Sequence, residues 1–374
     1  MAQLRKLFPV VTLSSVLVVG CGGGITPCAE GSTACSDAIS ATDVSAEATM
    51  DERPDATDAA PDELDATDAA DSATDSLADA TNTPLDVTDA PHACVPYLSG
   101  PYQRVYRPSG TRYLNDHTVV RDLQPIPQWH VIGITHDSLG MPFAERSFLH
   151  AVAGSLHGTW TEQPDVLMTV APEQFLWAPY VFDRDAGHGQ WTMFYWGGTP
   201  DDRVQRADSV DLQSWTRVPM ATAPGGRDPF VMRYNGMWLL FSVSVHESHG
   251  RIVVSQSTDL SHWSPPVVAI EDPVASFGWG NLESPFVVSQ CGEYYLFLTR
   301  TSDLPIDYEQ TMVFRSPDLT ARFAWTPIAE IRGHASEVLE DGGRWWLTSA
   351  GWTSSIGEAR RGLSIAPMAW AAAP

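Results

Sequence analysis

From about residue 93 onward, apolar positions fall in short runs of Val, Phe, Trp, Leu and Tyr broken by turn residues. "QWTMFYWGG", "GMWLLFSVS", "EYYLFLTR" and "RWWLTSAG" are of this kind, and no long stretch keeps a helical period. Gly225 to Ser244, "GGRDPFVMRYNGMWLLFSVS", reads as a hairpin in which "YNG" separates two apolar runs. The pattern predicts an all-β fold.

The strands also repeat. Their openings stack as "DHTVV" at Asp116, "WAPYV" at Trp177, "RDPFV" at Arg227, "ESPFV" at Glu283 and "HASEV" at His334. The first gap is 61 residues, and the next three are 50, 56 and 51. A second phrase closes several units: "DSVDLQSW", "STDLSHW" and, more loosely, "SPDLTARFAW". A repeat of roughly 50 residues suits one four-stranded propeller blade, so the five openings predict a five-bladed β-propeller over residues 93–374. The segment from Cys94 to Arg112 is expected to return and pair with "GLSIAPMAW", closing the ring and removing an exposed edge.

The preceding residues have a different composition. Residues 22–92 are dominated by Ala, Thr, Asp, Ser and Pro, with "DATDAA" at Asp55–Ala60 and again at Asp65–Ala70. They hold 17 acidic residues and a single basic one, Arg53. Such a segment cannot bury enough surface to offset chain entropy, and like charges extend it, so a disordered acidic linker is expected. Ahead of it, Arg5 and Lys6 precede "LFPVVTLSSVLVV", a run too short for a confident membrane span, which ends in "VVGC". That ending resembles the lipobox of bacterial lipoproteins. The resemblance implies a signal peptide at residues 1–21, lipidation of Cys21, export, and anchoring to the outer membrane or cell surface by acyl chains alone.

The net charge is −24, most of it in the linker, and the modest acidic excess left for residues 93–374 argues against a nucleic-acid partner. Export permits disulfides among Cys28, Cys35, Cys94 and Cys291. Four cysteines allow three connectivities; one of them pairs Cys28 with Cys35 and Cys94 with Cys291. Without a CxxC pair or a Cys/His cluster, a zinc site is not expected.

The first strand of each propeller blade lines the central channel. Taken around the ring, the aligned openings supply Asp116, Trp177, Arg227, Glu283 and His334, where a purely structural propeller would repeat small or apolar residues. The repeat is kept in the strands and broken at the channel mouth, which marks a site. By strict alternation Asp228 faces away from Arg227, unless the strand begins irregularly; Pro229 is a reason for such a start.

"WAPYVF", "GRDPFV", "NLESPFV" and "GHASEV", in this order and at blade spacing, resemble glycoside hydrolase family 43 and its relatives over residues 112–365. The resemblance implies that Asp116 is the general base, Glu283 the general acid, and Asp228 the carboxylate that tunes the acid. Breaking a glycosidic bond needs such a pair, with the acid held protonated near neutral pH. Arg227 would balance Asp228 or bind a sugar hydroxyl, and Trp177 and Trp279 would offer stacking faces for a sugar ring. His334 corresponds to a channel histidine that in some members helps hold a calcium or sodium ion; no cofactor is otherwise required.

The chain departs from the family wording at Asp116-His117-Thr118, where Asp-Pro-Asp is common, and at Tyr180, where many members have Asp. "NDH" shares "ND" with fructan-cleaving, retaining relatives. The leading expectation is an exported monomeric enzyme that hydrolyses arabinosyl or xylosyl linkages with inversion and meets the membrane only through its lipid anchor. The alternatives are a retaining fructan- or galactan-cleaving relative and a non-catalytic carbohydrate-binding propeller. A degenerate binder should have lost at least one of the three carboxylates, and all are present.

Overall fold

The computed structural model describes residues 94–372, apart from 138–143, 186, 276–280, 304–305 and 352–361; the side chains of residues 302–307 also lie outside the description. The expected signal peptide with Cys21, the linker with Cys28 and Cys35, and Trp279 therefore fall outside the described residues.

Every regular element described is a strand. β1 (Cys94–Leu98) and β2 (Gln103–Tyr106) come first. Blade 1 follows as β3 (His117–Asp122), β4 (Gln128–Ile134), β5 (Phe148–Ala153) and β6 (Thr161–Val166). Blade 2 is β7 (Trp177–Asp183), β8 (Trp191–Trp196), β9 (Val204–Ser209) and β10 (Thr216–Arg217). Blade 3 is β11 (Arg227–Tyr234), β12 (Met237–His246), β13 (His249–Ser257) and β14 (Val267–Glu271). Blade 4 is β15 (Leu282–Gln290), β16 (Glu293–Asp303), β17 (Ile306–Ser316) and β18 (Ala329–Arg332). Blade 5 has only three strands of its own: β19 (Val338–Asp341), β20 (Arg344–Ser349) and β21 (Leu363–Ala372).

The missing fourth strand comes from the beginning of the domain. β1 pairs antiparallel with β21, from Cys94 opposite Ala372 to Leu98 opposite Met368, and β2 continues along it with Gln103 opposite Ile365. The ring is closed as expected, by hydrogen bonds between the two ends of the domain. A disulfide between Cys94 and Cys291 ties the closing strand to the β15–β16 turn of blade 4, across 197 residues of sequence. Of the connectivities open to the sequence, the Cys94–Cys291 pair is thus the one formed.

The recurring phrases have local explanations. In "YNG", Asn235 and Gly236 have φ of 48° and 80°, the left-handed pair that a two-residue hairpin needs to match strand twist, and they join Tyr234 to Met237. The closing phrase is a turn cap. Ser209 Oγ accepts the N–H groups of Asp211 and Leu212, while Asp211 accepts those of Gln213 and Ser214. Ser257 and Asp259 do the same in "STDLSHW".

Alternate strand residues point between the blades, and the core is five apolar seams. Ile132 meets Met193 between blades 1 and 2, and Phe194 meets Leu240 between blades 2 and 3. Phe241 and Leu296 share the next seam, Phe297 and Leu347 the fourth, and Val131 and Ile365 the fifth, which closes the ring. Each such fully buried side chain contributes about 1.5–3 kcal/mol relative to an exposed one. Together these seams fix the inner strands around one channel.

Candidate active site

The inner strands do not begin regularly. Ladder register shifts between Trp177 and Tyr180, between Arg227 and Phe230, and between Glu283 and Phe286. At each shift the second residue is left-handed: Ala178 at φ 46°, Asp228 at 52° and Ser284 at 49°. Ala335, which follows His334, sits at 48°. A non-glycine residue there costs about 1–2 kcal/mol, and such strain concentrates at functional sites. The bulge also resolves the alternation problem, because two consecutive residues can now reach the channel. Blade 1 opens differently: His117 faces Gly133 in an unbroken ladder, and Asp116 O accepts the N–H of Ile134 at 2.9 Å.

Arg227 is the hub of the resulting cluster. Its Nη1 donates to Asp228 Oδ2, its Nη2 lies 3.4 Å from Glu283 Oε1, and the same nitrogen donates to Leu282 O at 3.3 Å. Asp228 Oδ2 also accepts the N–H of Ser284 at 3.2 Å across the seam to blade 4. On the far side of the channel, His334 Nε2 lies 3.1 Å from Asp116 Oδ1 and 3.0 Å from Asn115 Oδ1. His334 Nδ1 is 2.9 Å from Tyr308 O. A carbonyl only accepts, so Nδ1 carries a proton; Nε2 faces acceptors and carries one too. The His334 ring is then an imidazolium paired with an ionised Asp116. Gly351 makes room for it, since a Cβ there would stand 2.7 Å from His334 Cδ2.

These neighbours split the carboxyls. Burial pushes Asp116 up, but the hydrogen bond and charge of His334, helped by Arg227, push it further down, so it ends below its ordinary value. Burial lifts Glu283 and the charges of Asp228 and Asp116 add to it; Arg227 offsets only part, and the value reaches about 7. Asp228 is raised by burial and by Asp116, against the pull of Arg227. His334 is raised because Asp116, and to a smaller extent Glu283, outweigh its burial. Two carboxyls in one site with values driven apart are the mark of an acid and a base.

Trp177, expected as a stacking face, is half-buried. Its Nε1 donates to the buried Glu145 at 3.2 Å, and its ring lies 4.5 Å from Phe175 and 5.5 Å from Trp196 between centroids. It opens β7, and these contacts fix its orientation. A cavity of about 30 Å³, with room for one or two waters, is lined by Asp116, His117, Asp228, Ser284 and Glu337 among others.

The sequence reading passed over Glu337 and Tyr308. Glu337 is buried, accepts the N–H of Val119 at 2.8 Å, and is lifted by burial to about 8. It stands inside "GHASEV", three residues after His334, so the phrase itself held the signal. Tyr308 lies edge-on to His334 at 5.6 Å, and its phenol is raised by burial and by the charge of Glu283. It comes from β17, away from every strand opening, and nothing in the repeat marks it.

A directly ligated ion does not fit His334 as placed: both ring nitrogens are engaged, and among the described residues no group of three or more His, Cys, Asp or Glu could hold a metal.

By sequence, no family model and no curated protein matches the chain. By fold, it is similar to an exo-1,5-α-L-arabinanase from a bovine ruminal metagenomic library, at 14% identity and TM-score 0.51, covering 71% of this chain and 95% of that one. It is similar to the β-xylosidase RS223 at 14% identity and TM-score 0.54, covering 72% and 91%. A family 32 β-fructofuranosidase from Bombyx mori gives 17% identity and TM-score 0.52, covering 72% of this chain and 61% of that one. The fold is therefore the five-bladed β-propeller that glycoside hydrolases of families 43 and 32 also adopt.

Proposed function

We propose that this chain is an exported glycoside hydrolase that cleaves arabinosyl or xylosyl linkages with inversion. The observation that carries the reading is the split of Glu283 and Asp116 around Arg227: one carboxyl is held near 7 and the other below its ordinary value. Glu283 donates its proton to the leaving oxygen as the glycosidic bond breaks. Asp116 takes a proton from the water that forms the new bond at the anomeric carbon. Asp228 and Arg227 set the proton affinity of Glu283, His334 keeps Asp116 ionised, and Trp177 contributes to the wall against which a sugar ring rests.

The similarity in fold to an arabinanase and a β-xylosidase supports the substrate class, and the family 43 wording of the strand openings supports inversion. The disulfide supports export, since such bonds persist in oxidising compartments. On this reading Cys21 carries the lipid anchor, and the acidic segment holds the propeller away from the membrane. The test is incubation with arabinan, xylan, galactan and fructan oligosaccharides beside Glu283→Gln. Release of a pentose by the unaltered protein alone is expected; release of fructose or galactose instead would reassign the substrate. No release, with equal sugar binding by both proteins, would leave a binding propeller.

A further inference from the structure

The connection from β14 to β15 delivers Glu283 to the channel, and a buried carboxylate outside the site holds both of its ends. Asp272 is fully buried one residue after β14. Its Oδ2 accepts Asn281 Nδ2 at 2.6 Å and Arg300 Nε at 2.8 Å, and its Oδ1 accepts the N–H of Val274 at 2.8 Å. Its own backbone is fixed as well, the N–H donating to Gly250 O and the carbonyl accepting His249 Nδ1 at 2.8 Å. Asn281, two residues before Glu283, is 4% exposed, and its Nδ2 also donates to Val274 O at 3.3 Å. Gly250 approaches so closely that a Cβ there would lie 2.8 Å from Asn281 Oδ1 and 3.0 Å from Leu282 N.

The loop of contacts closes through the ladder, because Arg300, whose guanidinium holds Asp272, is the backbone partner of Leu282, and Thr299 is the partner of Glu283. We propose that Asp272 is the positioning residue that sets where the Glu283 carboxyl stands against Arg227, acting through Asn281. This rests on the reading of Glu283 as the acid. A buried, paired carboxylate costs several kcal/mol to desolvate, and an apolar pair of similar volume would hold a plain strand junction as well. The Asp272–Asn281 bond instead fixes one rotamer of the residue that leads into the bulge.

The test uses the full chain with Asp272→Asn, Asn281→Ser and the double variant Asp272→Asn/Asn281→Asp. Asn281→Ser keeps the Asp272–Arg300 pair and removes the Nδ2 bonds to Asp272 and to Val274 O. The double variant restores the bond between positions 272 and 281 with donor and acceptor exchanged, while giving up the Arg300 Nε contact on the same atom. The first readout is the titration of the Glu283 carboxyl by carbon-detected NMR, assigned with Glu283→Gln. Because Arg227 pulls Glu283 down, loosening that contact is expected to raise the value above about 7 in both single variants, and the double one to bring it back. The second readout compares methyl and 2,4-dinitrophenyl α-L-arabinofuranosides and β-D-xylosides. A misplaced acid should cost about tenfold or more in kcat/KM on the methyl glycoside and little on the activated one, whose leaving group needs no proton. A folded Asn281→Ser protein in which Glu283 titrates as before, or equal losses on both glycosides, would overturn the proposal. An unaltered protein that cleaves neither would count against the hydrolase reading, while the titration still decides the positioning.

Discussion

Replacing Asp228 by Asn removes one negative charge beside Arg227 and leaves the guanidinium 3.4 Å from Glu283 with less competition. Two effects then act in one direction. The charge that helped to lift Glu283 is gone, and the cation that pulls it down is freed. At an effective dielectric near 20, a unit charge about 4 Å away is worth about 4 kcal/mol, and about 1.4 kcal/mol corresponds to one pH unit. Because Arg227 already acts on Glu283 in the native site, the net fall is about one to three pH units, the range seen for a carboxyl next to an arginine. A fall of two units reduces the protonated fraction at pH 7 from about half to about 1%, a loss of about 50-fold in acid-dependent rate. The assay is the pH dependence of kcat/KM on an arabino- or xylo-oligosaccharide, whose leaving group needs the proton. The alkaline limb should move from near 7 toward 5 while activity near pH 5 is largely kept. A folded Asp228→Asn enzyme whose alkaline limb stays near 7, or rises, would refute this account of how the acid is tuned.

Other outcomes follow from the same contacts. His334→Ala should raise the acid limb of the profile, because burial pushes Asp116 up and only the weaker pull of Arg227 and His117 then opposes it; an unmoved limb would show that His334 does not hold the base. Glu337 is lifted on folding from 4.5 to about 8, so the folded state binds its proton more tightly and loses stability as pH rises across that window. Glu337→Gln should therefore gain Tm relative to the unaltered protein at pH 8 and show less advantage at pH 5, measured by calorimetry; a gain independent of pH would contradict the reading. Cys291→Ser should cost about 2–5 kcal/mol and lower Tm by several degrees. Reduction of the unaltered protein should lower Tm to a similar degree, and a smaller effect would mean that β1 holds its place by hydrogen bonds alone.

The fold was legible because its information is periodic. Five openings and two recurring phrases, each with a turn or cap behind it, required neither long-range contacts nor a knowledge of packing. Closure by the segment from Cys94 to Arg112 was expected because an open ring would leave an exposed edge. The channel mouth was legible only in part. Arg227, Glu283, Asp116 and His334 could be aligned because they interrupt the repeat, yet strict alternation set Asp228 on the wrong face. The left-handed backbone at Ala178, Asp228, Ser284 and Ala335 is the irregular start for which Pro229 gave a reason; three of the four precede a proline, while the residues themselves are two alanines, a serine and an aspartate. Tyr308 remained unmarked for a related reason: it reaches the site through packing against a strand opening rather than by standing at one.

The most direct test of the central claim is a proton NMR time course of the first sugar released from an arabino- or xylo-oligosaccharide, with Glu283→Gln alongside. The account predicts release by the unaltered protein alone, with the inverted anomer appearing first and mutarotating afterwards. The retained anomer first would contradict the assignment of Asp116 as a base acting through water. Equal release by both proteins would contradict the assignment of Glu283 as the acid.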